Sequence, residues 1–152
     1  MEILNLPPIE YKTRDRQGQT EIFDIVRKKY ILLTPEEWVR QNFIQYLIVQ
    51  KGFPQSLIAV EHSLSVNKMK KRADIAVFGT KGQALLIVEC KSSTVKISQK
   101  VFDQVARYNM TLKVKYLVIT NGLEHYACQV DLENKTYLFL QEIPDFEQIK
   151  NS

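Results

Sequence analysis

The sequence predicts an α/β domain with a mixed central sheet covered by helices on both faces, and three observations predict it. Residues 72–91 read as a hairpin, Arg-Ala-Asp-Ile-Ala-Val-Phe and Ala-Leu-Leu-Ile-Val-Glu-Cys-Lys around a Gly79–Gln83 turn. Both alternating sets of side chains in that hairpin are mostly apolar, so each face of the sheet needs a cover. Two helical stretches, 34–51 and 98–113, flank it in sequence and supply the layers. The short run Tyr116–Thr120 follows the second helix at the distance of a βαβ crossover, which makes it a parallel strand.

The elements follow in chain order. Residues 1–20 contain Pro7-Pro8 and a polar tract, Tyr11–Gln19, without periodicity, and read as an extended arm. Thr20–Leu33 suits short strands or a hairpin. Its Arg27-Lys28-Lys29 cluster reads either as a phosphate-backbone contact or as a solvated turn. Thr34-Pro35-Glu36-Glu37 is a helix start: threonine caps, proline fits the first helical position, and Glu37 stands where a capping box needs a carboxylate. Gly52 and Pro54 end that helix. Val39, Phe43, Tyr46 and Val49 form its core stripe. Glu37, Arg40, Ile44 and Ile48 lie around another side, so it is buried on more than one side.

Residues 57–66 make the first strand of the central sheet, with Glu61 at its middle. Ser98 caps the second helix, whose stripe is Val101, Val105, Tyr108 and Leu112, with Gln104 at its edge. After Thr120 the Asn121-Gly122 pair marks a tight turn. Residues 126–130 and 136–141 then pair as a hairpin, and the tail 142–152 carries a short helix around Phe146 and Ile149. The expectation is one domain over 1–152, with its core at 22–141.

The chemistry gathers on the 72–91 hairpin. A register centred on its glycine turn brings Asp74 level with Glu89 and Lys91, which share a face by period two. Two carboxylates desolvated together repel one another, and a divalent cation between them removes that cost; hard oxygen donors suit magnesium or manganese. An ammonium beside such a site lowers the energy of a hydroxide or of a phosphorane-like transition state, as phosphodiester hydrolysis requires.

Asp74, fourteen intervening residues and then Glu89-Cys90-Lys91 resemble the core of the PD-(D/E)XK nuclease superfamily, with Ala73 in place of the proline. Gln104-Val-Ala-Arg-Tyr108 resembles the family's Gln-x-x-x-Tyr helix, and Thr34-Pro-Glu-Glu-Trp-Val-Arg-Gln41 its first helix. From about Ile22 to Asn121 the chain looks like the N-terminal nuclease domain of type I restriction enzyme R subunits. The resemblance implies a restriction-endonuclease-like fold and metal-dependent DNA hydrolysis leaving 5′-phosphate and 3′-hydroxyl ends. It implies Asp74, Glu89 and the Cys90 backbone carbonyl as magnesium ligands, Lys91 assisting the nucleophile, and Gln104 reaching the pocket. Glu37 is the matching first-helix acid, or it only closes the capping box. Glu61 is a second accessory acid, or an ion-pair partner of Lys70 or Arg72. Tyr108 completes the accessory set.

Composition bounds these readings. At 152 residues, 45% apolar and 25% charged, the chain is an ordinary globular one. A net charge of +4 and a pI near 9.0 favour a polyanionic partner. Lys68, Lys70, Lys71 and Arg72 are the candidate DNA-backbone contacts, with a solvated hairpin turn as the alternative. Two cysteines and two histidines frame neither a disulfide scaffold nor a zinc site, and Cys90 reads as a core residue. No leader or bilayer-length apolar run is visible, so the expected setting is the cytoplasm, without membrane contact. No phosphate-binding loop is present, and any motor would come from a helicase, translocase or restriction-complex partner, or cutting from a homodimer. The rival to an enzyme is a nuclease-fold module that binds nucleic acid or a restriction partner without cutting. A third reading has Asp74 and Glu89 merely pairing with Lys91.

Overall fold

The computed structural model describes residues 1–66 and 69–152. Strands β1 (Thr13–Arg16), β2 (Gln19–Asp24) and β3 (Lys29–Leu32) form a small antiparallel sheet. The arm expected to run to residue 20 therefore ends by Thr13. The reason is the Gln17-Gly18 pair, both at positive φ (52° and 81°), which closes a two-residue hairpin between Arg16 and Gln19. Ile22 of β2 carries this sheet into the core, where it is fully buried.

Helix α1 (Pro35–Val49) starts as its sequence dictates: the Thr34 hydroxyl accepts from the Glu37 amide at 3.0 Å. Gly52 follows its end in the left-handed region (φ 72°). The buried face consists of Trp38, Val39, Phe43, Ile44 and Leu47, and Val49 is exposed rather than part of the core stripe. Leu47 anchors the last buried turn, and Val49 lies about 200° further round the helix at 100° per residue.

The main sheet has six strands in sequence order: β4 (Ile58–Val66), β5 (Met69–Phe78), β6 (Ala84–Cys90), β7 (Tyr116–Thr120), β8 (His125–Asp131) and β9 (Thr136–Leu140). It is mixed. β6 and β7 run parallel, joined through α2 (Gln99–Met110), whereas the other neighbouring pairs are antiparallel. A short α3 (Phe146–Ile149) closes the chain with a full capping box between Asp145 and Gln148.

Two apolar clusters hold the strands. The first joins Phe43, Ile44 and Leu47 of α1 to Ile75, Val77, Leu86 and Val88; the second joins Phe102 and Ala106 of α2 to Ala76, Ile87, Leu117 and Ile119. The α2 face thus differs from the expected stripe. Phe102, Ala106 and Asn109 are buried, Val101 and Val105 flank them, and Tyr108 is 56% exposed. Phe102 has more apolar surface to bury than Val101, and it turns the helix by about one residue, or 100°. Among the described residues no helix is long and apolar enough to cross a membrane.

Candidate active site

The β5–β6 ladder runs from Phe78 and Ala84 down to Ile75 and Val88 and then stops, because β5 continues paired to β4 alone. The next step of that register sets Asp74 across from Glu89. Here a side chain caps the ladder: Oδ2 of Asp74 accepts from the Cys90 amide at 2.7 Å. Glu89 and Lys91 leave β6 on one side, with Lys91 Nζ 3.7 Å from Glu89 Oε1, both half-buried. The Lys91 amide is tied in turn to the Thr120 carbonyl at the end of β7 (2.8 Å). Two sheet neighbours therefore fix the backbone on either side of the pair.

This is a desolvated cluster with more negative than positive charge. Burial first, and then the Asp74 charge, push Glu89 up to about 7, against the opposing pull of Lys91. Burial also raises Asp74, outweighing the Cys90 amide, Arg40 and Lys91. The Cys90 thiol, fully buried beside Asp74, is driven well above its ordinary range and is a core group, as its sequence suggested.

The acid that the sequence offers on the first helix is engaged elsewhere, and its neighbour lies nearer the strand ends in charge alone. Glu36, exposed in the first turn of α1, is raised by partial desolvation and by the Asp74 charge, and makes no contact with the carboxylates among the described residues. Glu37 is buried away from this cluster in an ion-pair network: Arg27 Nη2 lies at 3.1 Å, Arg40 Nε at 3.3 Å and Gln41 Nε2 at 3.0 Å. Adjacent helix positions differ by about 100°, so only one of the two glutamates can face the strands' ends. The signal available in the sequence was Arg40, one turn after Glu37 and able to draw it aside.

Arg27 is also not the turn cation its cluster suggested. Its Nε sits 2.6 Å from buried Asp24, and Nη1 lies 3.4 Å from Glu61. Burial works to raise Asp24, but the amides of Val26 and Arg27 and the guanidinium together hold it below the usual range. We expect Arg27→Ala to cost about 3 kcal/mol by leaving Asp24 buried without its cation, read as a lowered urea midpoint at pH 7. Because the Asp24 pKa is depressed in the fold, its contribution is present at neutral pH and is lost as pH falls through the folded value.

Glu61 pairs with Arg72 (3.7 Å), as one reading anticipated, and also with Arg27 and with Arg40 Nη1 at 3.4 Å. Among the described residues Nε and Nη1 of Arg40 find no hydrogen-bond partner, although both face carboxylates. Of the basic tract, Lys70 and Arg72 are exposed, and the Arg72 guanidinium is engaged by Glu61. Lys71 is buried with Nζ 3.2 Å above the Tyr108 ring, where desolvation lowers its pKa. Lys68 lies outside the described residues. Gln104 is exposed on α2, rather than directed into the pocket, and makes no hydrogen bond among the described residues, a consequence of the rotated helix face. His62 is exposed, edge-on to Phe78, and His125 bridges Thr120 and the Asn5 carbonyl; neither joins the carboxylates.

Among the described residues no three His, Cys, Asp or Glu side chains form a ready-made metal cluster. The donors expected from the sequence are Asp74, Glu89 and the carbonyl of Cys90, which follows Glu89 on β6. Their chemistry fits a hard divalent cation, because both carboxylates are pushed toward protonation by burial and like charge, a penalty that a cation between them relieves.

Residues 35–144 match the family model described as the type I restriction enzyme R protein N terminus (HSDR_N). No curated protein matches the chain. Among solved structures, it is similar to a fragment assigned as an HsdR subunit of a type I restriction enzyme from Vibrio vulnificus YJ016, with a TM-score of 0.54 and 20% identity. That match covers 77% of this chain and 24% of the other, so the chain spans about a quarter of that structure's length.

Proposed function

The chain belongs to the family of type I restriction enzyme R protein N termini, and from that membership we propose that it is a metal-dependent DNA endonuclease domain of the PD-(D/E)XK kind. On this reading helices cover both faces of a restriction-endonuclease-like sheet, consistent with the division of its core between α1 and α2. The observation that carries the proposal is the juxtaposition of Asp74, Glu89 and Lys91 at the point where β5 and β6 part.

Asp74, Glu89 and the Cys90 carbonyl would hold magnesium, with manganese as a substitute. Bound there, the cation supplies charge neutralisation for the phosphate and acidification of a water. The chain's own groups do the rest. The Cys90 amide occupies Oδ2 of Asp74, so Oδ1 would be the oxygen offered to a cation. Lys91 balances Glu89 in the resting site, and its ammonium opposes the negative charge that builds on the phosphate as the nucleophile attacks. Lys70, on the exposed part of the β4–β5 hairpin, contacts the flanking DNA backbone, and Arg72 beside it adds positive charge while held by Glu61. Translocation would come from a motor elsewhere in a longer chain or in a restriction complex, in keeping with the greater length of the matched relative.

The exposure of Gln104 and the two-carboxylate donor set favour a second reading, a binding module that does not cut. Incubation of supercoiled plasmid, branched DNA and single-stranded DNA with magnesium or manganese separates the two. We expect metal-dependent cutting that EDTA abolishes. Salt-sensitive retention of DNA with no cleavage of any substrate in either metal would transfer the assignment to the binding module.

A further inference from the structure

Glu61 is a non-glycine residue in the middle of a strand with φ at +51°. That conformation is uncommon for any residue with a Cβ, and inside a ladder it bends the strand. The β4–β5 register pairs Val60 with Ile75 and His62 with Ala73, so Glu61 stands across from Asp74, and that pair alone drops out while the register on either side is unchanged. No residue has been inserted. The distortion therefore resides in the Glu61 dihedral and its response in β5.

The response is visible in which core each side chain enters. Residues two apart on a strand share a face. Yet Ala73 packs in the α2 cluster and Ile75 in the α1 cluster, and across the ladder Leu64 belongs with α2 while Val60 belongs with α1. Both strands lose one alternation at the same rung. Beyond it the hairpin is rolled over, which turns Lys71 inward onto Tyr108 and leaves Lys70 and Arg72 outside.

At that rung the Asp74 carboxylate turns in to meet the Cys90 amide at 2.7 Å. Three guanidiniums, Arg27 at 3.4 Å, Arg40 at 3.4 Å and Arg72 at 3.7 Å, hold the Glu61 side chain, and Arg72 Nε also donates to the Glu61 carbonyl at 3.2 Å. Side chain and backbone are thus gripped together.

We propose that Glu61 is a positioning residue: its left-handed backbone, clamped by Arg27, Arg40 and Arg72, rolls the β4–β5 hairpin and aims Asp74 at the site. It is not a metal ligand. The statement about Asp74 concerns the fold itself; its consequence for metal binding rests on the nuclease reading above.

The test separates backbone from carboxylate. Glu61→Gly keeps the left-handed conformation and loses the carboxylate, Glu61→Gln keeps length and polarity without charge, and Glu61→Val opposes positive φ. Should the valine variant not fold, Glu61→Asn and Glu61→Ala provide the same contrast in milder form. Hydrogen exchange of the Cys90 amide, read by NMR in metal-free protein, reports the Asp74 contact directly. Calorimetric titration with manganese, without DNA, reports the donor set.

The expected result is Cys90 protection and manganese affinity within about threefold of wild type for Gly, and a loss of tenfold or more in both for Val. Equal loss of manganese affinity in Gly, Gln and Val, with Cys90 protection retained in Gly, would make Glu61 a ligand and overturn the proposal. Unchanged Cys90 exchange in Val would overturn it as well. A wild type that binds no manganese, with the Gly–Val contrast in exchange intact, would count against the nuclease reading and leave the positioning role standing.

Discussion

Asp74→Asn and Lys91→Ala should each reduce metal-dependent DNA cleavage by about a thousandfold or more while leaving the fold intact, the scale expected when a charge-stabilising group leaves a desolvated site. Asp74 is the carboxylate that the β5–β6 junction positions most tightly, through the Cys90 amide. Asparagine preserves that acceptor and removes the charge, so any loss reports the charge rather than the ladder cap. Lys91 is half-buried beside Glu89, and its removal leaves that carboxylate without its ion-pair partner. Single-turnover rates under saturating manganese are the appropriate measurement. Retention of more than a tenth of wild-type rate by both variants would refute the assignment of this site.

The second large effect is a gain in stability from a change that should abolish activity. Glu89 titrates near 7 in the fold against an ordinary 4.5, with burial the main cause and the Asp74 charge next. A carboxyl raised in the folded state stabilises the protein while it is protonated, and that contribution disappears as pH rises through the folded value. Metal-free protein should therefore lose stability between about pH 4.5 and pH 7. The displacement corresponds to about 3 kcal/mol, or about 2 kcal/mol once solvent screening of the partly exposed side chain is allowed for.

Glu89→Gln removes this penalty, so at pH 8 in EDTA it should melt about 5 °C above wild type. At about pH 4, below the ordinary value of the carboxyl, the two should melt close together. Magnesium at pH 8 should raise the wild-type melting temperature and leave the variant unmoved, since a ligand that binds only the native state must stabilise it. Equal melting temperatures for the two proteins at pH 8 would show that Glu89 is not under the strain described.

Much of this was legible from the residues. Asp74, Glu89 and Lys91 fall together because a hairpin's register is fixed by its turn, and period two then determines faces. The cap of α1, the parallel placement of β7 and the short terminal helix around Phe146 and Ile149 also followed from the sequence pattern. What escaped was decided at longer range. Whether Val101 or Phe102 turns inward depends on what the sheet offers, and that choice carried Gln104 and Tyr108 outward. Glu37 is drawn aside by Arg40, which the sequence places one turn on, and by the distant Arg27, which only the small sheet brings in. The positive φ of Glu61 has no sequence signal, since glutamate is not a residue that seeks it.

The parallel pairing of β6 and β7 bears on the order in which the site is assembled. Asp74 and Glu89 come together in a hairpin whose ends are close along the chain, so their contact closes a short loop and forms early. The Lys91 amide is secured by Thr120, which arrives only after α2 has crossed over, a later and slower event. During refolding the paired carboxylates should accordingly exist before the backbone beneath their lysine is fixed, and cutting competence should appear with the docking of β7 rather than with the closing of the hairpin.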